Sequence, residues 1–459
     1  MKIYNSLTKK IEQFEPIATN NIRIYSCGPT VYNNLHIGNL AAFIYADLLR
    51  RAIVSCGYQV TAVMNITDVD DKTIRDSKKE YPEHDPMEAL KLLTHRYEEI
   101  FIDDLSRIGN DETSLTFIRA TETIQEMIQI TQGLLDTGMA YLAEDAIYFS
   151  IKNYELAGYK YGQLQEIDRS HERARIVNDE YDKNSASDFA LWKRTTKDEP
   201  SWEASYKIND ESIVIPGRPG WHIECSAMSQ KLLGIPFDIH TGGIDLKFPH
   251  HENEIAQSCG VSGSKVFVNY FVHNNHILVD GKKMSKSLNN FFTLRDIEQK
   301  NFSPMAFRLL VLSSHYRNES NFSWEILESA QRRLNHWQAV ADTRWQYEKS
   351  SLNWDEDISI TLQDDLNTPV AVSQIDKYFD YLESSNMAPS QADLGKISDL
   401  LGIDLHLPDI NEETKGIIEK REQARKNKDW TESDNLRQQL EQIGIAIKDT
   451  QNGPVWSRI

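Results

Sequence analysis

Two short segments, far apart in the chain, carry the residue types needed to handle a nucleoside triphosphate. One is Leu35-His36-Ile37-Gly38-Asn39, and the other is the run KMSKS from Lys283 to Ser287. His36 can donate to a phosphate oxygen as charge builds there, and Gly38, lacking a Cβ, lets a nucleotide approach the backbone. Lys283 and Lys286 sit on a glycine-started loop, where two ammonium groups can close on a triphosphate and then withdraw. HIGN alone is as consistent with His36 and Asn39 capping a helix; KMSKS within GKKMSKSLNNFF is the rarer pattern.

A second group of residues has the chemistry of metal ligands. Cys27 ends an apolar run, Cys225 lies in GRPGWHIECSAMS, and His250 and Glu254 lie in FPHHENEIAQ. If HHENEIAQS is helical, His250 and Glu254 are i and i+4 and share a face. Two thiolates, an imidazole and a carboxylate would suit tetrahedral zinc. Spacing alone leaves this open: there is no CxxC pair, HHENE is not HExxH, and a lone cysteine is often a small buried hydrophobe.

The elements that must position these groups begin with a βαβ unit. IRIYSC alternates like a strand and ends at Cys27; a helix is expected from about Ile37 to Ser55, and YQVTAVMN, Tyr58 to Asn65, reads as the next strand. The two strands should be parallel, with ligands beyond their carboxyl ends, where helix N-termini aim unpaired amides at anions. His36 falls at that junction, and no GxGxxG or GxxxxGK[ST] fingerprint occurs there. From about Thr116 to Val214 the alternation lapses: TFIRATETIQEMIQITQGLLDTGMAY reads as helix, YLAEDAIYFSI as a hairpin, and His171 to Lys183 as a charged loop. Phe271 to Asp280 reads as one late strand leading to the loop at Gly281. From about Ser303 to Leu401 the pattern is amphipathic helix, clearest over Trp324 to Ala341. A final unit, Pro408 to Ile459, holds a basic cluster of Lys420, Arg421, Arg425, Lys426 and Lys428 beside Trp430, a combination of cation and stacking surface that suits unpaired bases and equally suits a solvated helix.

Length and composition bound the rest. The 459 residues allow two to four domains, and 69 acidic against 50 basic residues give a net charge of -19, which argues against binding nucleic acid through overall charge. The N-terminus lacks the apolar segment of a signal peptide, and no stretch reaches membrane-spanning length. Four scattered cysteines make no disulfide framework, so reduced thiols and a cytoplasmic location are expected.

CGPTVYNNLHIGN, NITDVDDKTI, SDFALWK, GRPGWHIECSAM, FPHHENEIAQ and KMSKSLNNFFT occur in that order and resemble the cysteinyl-tRNA synthetases, a family of class I aminoacyl-tRNA synthetases. The resemblance implies an α/β fold: a Rossmann-like parallel-sheet catalytic domain with an insertion, then an α-helical bundle and a small anticodon-binding domain. The corresponding stretches are 1–115 and 215–302 for the two catalytic halves, 116–214 for the insertion, 303–401 for the bundle and 402–459 for the last domain. It implies Zn2+ held by Cys27, Cys225, His250 and Glu254, Mg2+ accompanying ATP, and L-cysteine bound beside Cys27, Thr67 and Trp221, with His222 and His273 as further polar contacts. Gly242-Gly243-Ile244-Asp245-Leu246 resembles the adenosine-binding stretch, and a tight turn with a capping aspartate is its plainer reading. ATP contacts fall on His36, Gly38, Gly243, Asp245 and Lys286, and catalytic roles on His36, Asn39, Lys283 and Lys286. Asn39 stands where the family has a second histidine and cannot carry positive charge; Asn289 replaces a glycine. Arg425, Trp430, Asp434 and Asp449 correspond to anticodon contacts of tRNA(Cys). The implied activity is ligation of cysteine to the 3′ end of tRNA by a monomer. The rivals are an ATP-dependent cysteine:amino-sugar ligase of the same superfamily, which lacks the C-terminal unit, and a non-catalytic zinc protein that binds RNA.

Overall fold

A computed structural model describes residues 1–167, 175–176, 187–284, 290–350, 355–450 and 453–459. The chain divides into two compact units. The first holds Met1–Leu278, Lys283–Leu294 and Tyr316–Glu319; the second holds Val279–Lys282, Arg295–His315 and Ser320–Ile459.

The first unit is built on five parallel strands. In chain order they are β1 (Asn21–Ser26), β2 (Gln59–Ile66), β3 (Leu115–Arg119), β4 (Phe237–Gly243) and β5 (Val268–Asn274), and across the sheet the order is β5-β4-β1-β2-β3. Ile22 and Ile24 of β1 and Ile239 of β4 are fully buried, as strands covered on both faces require. Helix α1 (Ile37–Ser55) crosses from β1 to β2, matching the span expected from its apolar run; Leu40, Ile44 and Leu48 bury its inner face. Helices α2 (Asp71–Glu80), α3 (Pro86–Arg107) and α4 (Ile124–Asp136) follow, and α5 (Trp221–Leu233) and α6 (Glu252–Ser262) flank β4 in sequence. Asp68, just past β2, accepts from the amide (3.0 Å) and hydroxyl (2.5 Å) of Thr121 just past β3, which ties the two strand ends together.

Two expectations are corrected here. The run from Thr116 to Tyr141 is not one helix: Leu115–Arg119 pairs in parallel with β2, and only Ile124–Asp136 is helical. Strand pairing outweighed the helical pattern because LTFIR carries the β-branched and aromatic side chains an edge strand packs. Phe271 to Asp280 is not one strand either, since β5 ends at Asn274 and a separate strand covers Ile277–Val279. The hairpin expected at Tyr141–Ile151 forms between Ala140–Leu142 and Ala146–Phe149. It joins an antiparallel sheet with Asp188–Arg194, Glu211–Pro219 and Trp202–Ile208, the body of the insertion. Most of the loop expected at His171 to Lys183 lies outside the described residues.

The second unit is mainly helical: α7 (Pro304–Leu312), α8 (Trp324–Asp342), α9 (Asp355–Leu362), α10 (Thr368–Ser385), α11 (Gln391–Leu401), α12 (Glu412–Lys426) and α13 (Trp430–Gln442). It ends in the hairpin β6 (Ile445–Thr450) and β7 (Gly453–Arg458). Trp337 of α8 is fully buried and donates to Asp376 at 2.8 Å, and the Arg458 guanidinium pairs with Asp342, fastening the hairpin to α8. Among the described residues no helix is long and apolar enough to cross a membrane.

The end of β1 lies hard against the end of β2. The Gly28 amide donates to Asn65 Oδ1 at 2.8 Å, and a Cβ on Gly28 would lie 1.8 Å from the Asn65 carbonyl oxygen. Gly28→Ala must therefore move backbone beside Cys27, and a loss of about 1–3 kcal/mol is expected. A urea-denaturation midpoint unchanged from the parent would contradict this contact.

Candidate active site

In the sheet order, β1 and β4 are neighbours, while the chain leaves β1 for β2 on the other side. That reversal opens a crevice beyond their carboxyl ends, the usual ligand position in open α/β sheets. Cys27 follows β1 directly, its amide bonded to the Thr241 carbonyl of β4 at 3.1 Å. Trp221, His222 and Cys225 occupy the first turns of α5, and Glu254 the first turn of α6.

The four ligand candidates converge there. Cys27, Cys225, His250 and Glu254 each offer a donor atom within 4.8 Å of all the others. The Cys27 and Cys225 sulfurs are 3.9 Å apart, and His250 Nε2 is 3.2 Å from Glu254 Oε1. Three of the four are essentially fully buried; Cys27 is half-buried. His250 lies not in α6 but in a wide turn, Lys247–His251, broken by the extended residue Phe248, and it still meets Glu254.

The same spot has a second donor set, Cys27, His240, His251 and Glu254, within the same 4.8 Å limit. Neither His240 nor His251 stands out in the sequence; the doublet His250-His251 was the one available signal. His240 Nε2 is 2.9 Å from Glu254 Oε2, and His251 Nε2 is 3.3 Å from Cys27 Sγ. His251 Nδ1 meets His273 Nε2 at 2.8 Å, and His273 Nδ1 meets Ser6 Oγ at 2.8 Å. His222 Nδ1 lies 3.0 Å from His250 Nδ1, and Trp221 stacks on the His250 ring with centroids 4.2 Å apart.

Electrostatics favours a cation here. Burial drives His222, His251 and His273 well below the ordinary imidazole range, so these rings are neutral lone-pair donors. Burial pushes the Cys27 thiol up. Cys225, equally desolvated, is nevertheless drawn down to about 6 by the Cys27 hydrogen bond and by His250. Two sulfurs, an imidazole and a carboxylate form a donor set of the kind zinc takes. Next to this cluster, buried Glu252 accepts the amides of Gly162 (2.7 Å), Gln163 (2.9 Å) and Leu164 (2.9 Å), which fixes the start of α6 against the insertion.

Thr67 is buried at the end of β2. Its hydroxyl accepts from Asn65 Nδ2 at 3.0 Å, and its amide donates to the Pro29 carbonyl at 3.0 Å.

The two nucleotide segments also meet. His36 caps α1 with Nδ1 accepting from the Asn39 amide at 3.1 Å, so a neutral ring carries its proton on Nε2. Capping and phosphate contact are thus compatible, because they use different nitrogens. The Ile37 amide donates to the Phe292 carbonyl at 2.8 Å, His36 bridges to Thr293, and a Cβ on Gly38 would lie 2.4 Å from Met284 Cε. Both flanks of the KMSKS loop are therefore held against the start of α1. Lys283 is exposed; Lys286 and Asn289 lie outside the described residues. The Asn39 side chain is exposed. Asp245 is exposed in a tight turn after β4, with its Oδ1 2.7 Å from where a Cβ on Gly243 would be. Its charge acts on His36, raising that ring's pKa against the larger lowering by burial.

In the second unit two of the expected nucleic-acid residues, Arg425 and Asp449 of β6, meet directly. Arg425 Nη1 lies 3.0 Å from Asp449 Oδ2, and its guanidinium lies 6.0 Å from the Trp430 ring; Trp430 and Asp434 are exposed. Arg421 does not belong to the surface cluster: it is 1% exposed and spent on Asp449.

The family model for the class I (C) tRNA synthetase catalytic domain matches residues 13–332, and that for the cysteinyl-tRNA ligase anticodon-binding domain matches 407–456. A cysteine–tRNA ligase of Brachyspira hyodysenteriae is 39% identical over 99% of this chain and 98% of its own length. One from Leptospira interrogans is 40% identical over 100% and 99%. Among solved structures, Mycobacterium tuberculosis methionyl-tRNA synthetase with methionyl-adenylate superposes with a TM-score of 0.55 at 12% identity, covering 83% of this chain and 88% of its own. An Agrobacterium radiobacter LeuRS–tRNA–LeuAMS complex gives 0.55 at 9%, covering 87% and 88%. These two establish likeness of fold.

Desolvation lowers His36 from 6.5 to about 4, and Asp245 only partly opposes this. Because the folded value lies below the unfolded one, the stability linked to this ring is complete above pH 6.5 and falls as pH drops toward 4. An NMR titration of the His36 ring should give a midpoint near 4; one at or above 6.5 would contradict the burial.

Proposed function

The chain belongs to the cysteine–tRNA ligase family of class I tRNA synthetases, and on that premise we propose that it activates L-cysteine with ATP and transfers it to the 3′ end of tRNA(Cys). The observation that carries the amino-acid assignment is the cluster of Cys27, Cys225, His250 and Glu254 with Trp221 stacked on His250.

We assign Zn2+ to that first donor set. It leaves every supporting bond in place: His222 stays on His250, and His240 stays on the Glu254 oxygen turned away from the cluster. The second set would spend His240 Nε2 and break its bond to Glu254. Zinc, when bound, favours soft ionised sulfur over a hydroxyl of high pKa, which separates cysteine from serine where an apolar pocket offers only ~1–3 kcal/mol.

The chain's own groups then handle the nucleotide. In the activation step the cysteine carboxylate oxygen bonds to the ATP α-phosphorus, and the bond to the pyrophosphate oxygen breaks in line. His36 Nε2–H donates to the phosphate as charge builds, while Gly38 and Gly243 admit the nucleotide and Asp245 accepts from ribose hydroxyls. Lys286, with Lys283, neutralises the departing pyrophosphate, which Mg2+ accompanies. A neutral His36 suits this role, since it needs only an N–H and not a charge; Asn39 contributes its amide to the cap and a polar side chain at the rim. A ribose hydroxyl of the terminal tRNA nucleotide next attacks the cysteinyl carbonyl and AMP leaves. Arg425, Trp430, Asp434 and Asp449 hold the anticodon. We take the working form to be a cytoplasmic monomer.

Cysteine-dependent pyrophosphate exchange, followed by charging of tRNA with labelled cysteine, tests the assignment. Both should occur. Exchange without charging would mean that another acceptor takes the cysteine, and absence of exchange would end the enzymatic reading. Cys225→Ser should lose bound zinc, assayed by metal analysis, together with cysteine affinity. Retention of both would refute the metal assignment.

A further inference from the structure

Two of the residues assigned to the anticodon, Asp449 and Arg425, adjoin one buried cation that none of the preceding steps uses. Arg421 and Arg425 are i and i+4 on α12 and share a face, and that face packs against Asp449 of β6. Arg421 Nη1 donates to Asp449 Oδ1 at 2.8 Å and Nη2 to Oδ2 at 3.0 Å, a two-pronged pair in which the arginine side chain is 2% exposed. Arg425 Nη1 adds a contact to Oδ2 at 3.0 Å, and the same guanidinium lies over Trp430.

A carboxylate has about four acceptor positions. Among the described residues Arg421 fills one on each oxygen, and Arg425 crowds Oδ2 as an ion pair, on a side chain 36% exposed. Among the described residues the second position on Oδ1 has no donor against it.

Resting on the anticodon assignment above, we infer that Arg421 is a positioning residue for tRNA recognition, clamping Asp449 so that its remaining Oδ1 acceptor faces an N–H donor on the edge of a base. A parallel guanidinium–carboxylate fork fixes both the rotamer and the plane of the carboxylate, which one ammonium cannot do. Arg421 also holds the Asp449 carboxyl below its usual range, so that it accepts and does not donate. Through Asp449 the clamp reaches Arg425 and so the Trp430 platform, which makes one buried arginine the common support of a stacking surface and a hydrogen-bond acceptor.

The test uses the full chain and compares Arg421→Lys, Asp449→Ala and the double variant in tRNA charging and in cysteine-dependent pyrophosphate exchange. Arg421→Lys should raise KM for tRNA about tenfold, the equivalent of one charge-assisted hydrogen bond, with kcat and exchange at parental levels. The double variant should be no worse than Asp449→Ala, because both changes remove one interaction. Should Arg421→Lys not fold, Arg421→Gln, which keeps a single donor toward Asp449, carries the same expectation. A parental KM in Arg421→Lys alongside an impaired Asp449→Ala would overturn the clamp, as would a double variant in which the two losses add, or exchange falling in step with charging. Asp449→Ala charging at the parental KM would instead sink the anticodon assignment, and the clamp with it.

Discussion

The reversal of strand order at β1, with β2 on one side and β4 on the other, is the constraint on which the first unit depends. In a parallel sheet every strand ends on the same side, and each right-handed crossover returns a helix whose N-terminus is on that side. Cys27 at the end of β1, His36 at the head of α1, Thr67 at the end of β2, Cys225 in α5 and Glu254 in α6 are therefore delivered to one edge, although 227 residues separate Cys27 from Glu254. Small backbone contacts set the final positions. Gly28 lies against Asn65 where no Cβ fits, and the Cys27 amide is pinned to β4.

Within that edge the energetics are those of a desolvated polar cluster. Buried imidazoles, thiols and a carboxylate are costly unless each polar atom has a partner. The chain meets this with pairs that also orient: His222 with His250, His240 with Glu254, His251 with His273 and Ser6. His250 and Glu254 each commit one atom to such a partner and keep the other, Nε2 and Oε1, 3.2 Å apart in the cluster. Around the head of α1 the arrangement differs, with Asp245 and Lys283 exposed and His36 half-buried and neutral.

The second unit uses the opposite arrangement of charge. There buried Arg421 is answered by a partly exposed carboxylate, so that this charge is met near the surface. A chain of charge -19 can thus present a local recognition surface without a broad basic face. Arg458 with Asp342 performs the mechanical part, fixing the last strand to α8.

Much of this was legible in the sequence, for reasons that differ by residue. The span of α1 followed from its apolar run and the glycine after it, and His250 and Glu254 met because i and i+4 positions coincide even across the turn that precedes α6. These are properties of local period, which a sequence carries in full. The pairing of HIGN with KMSKS, and of Cys27 with Cys225, came from likeness to a family and not from spacing. What only the tertiary structure decided depends on burial and on partners distant in sequence. It turned Leu115–Arg119 into a sheet edge by setting it beside β2, and it brought His240 and His251 into the donor cluster. It also moved Arg421 from an apparent surface patch to the interior, because Asp449, 28 residues on, supplies the charge that makes its burial tolerable.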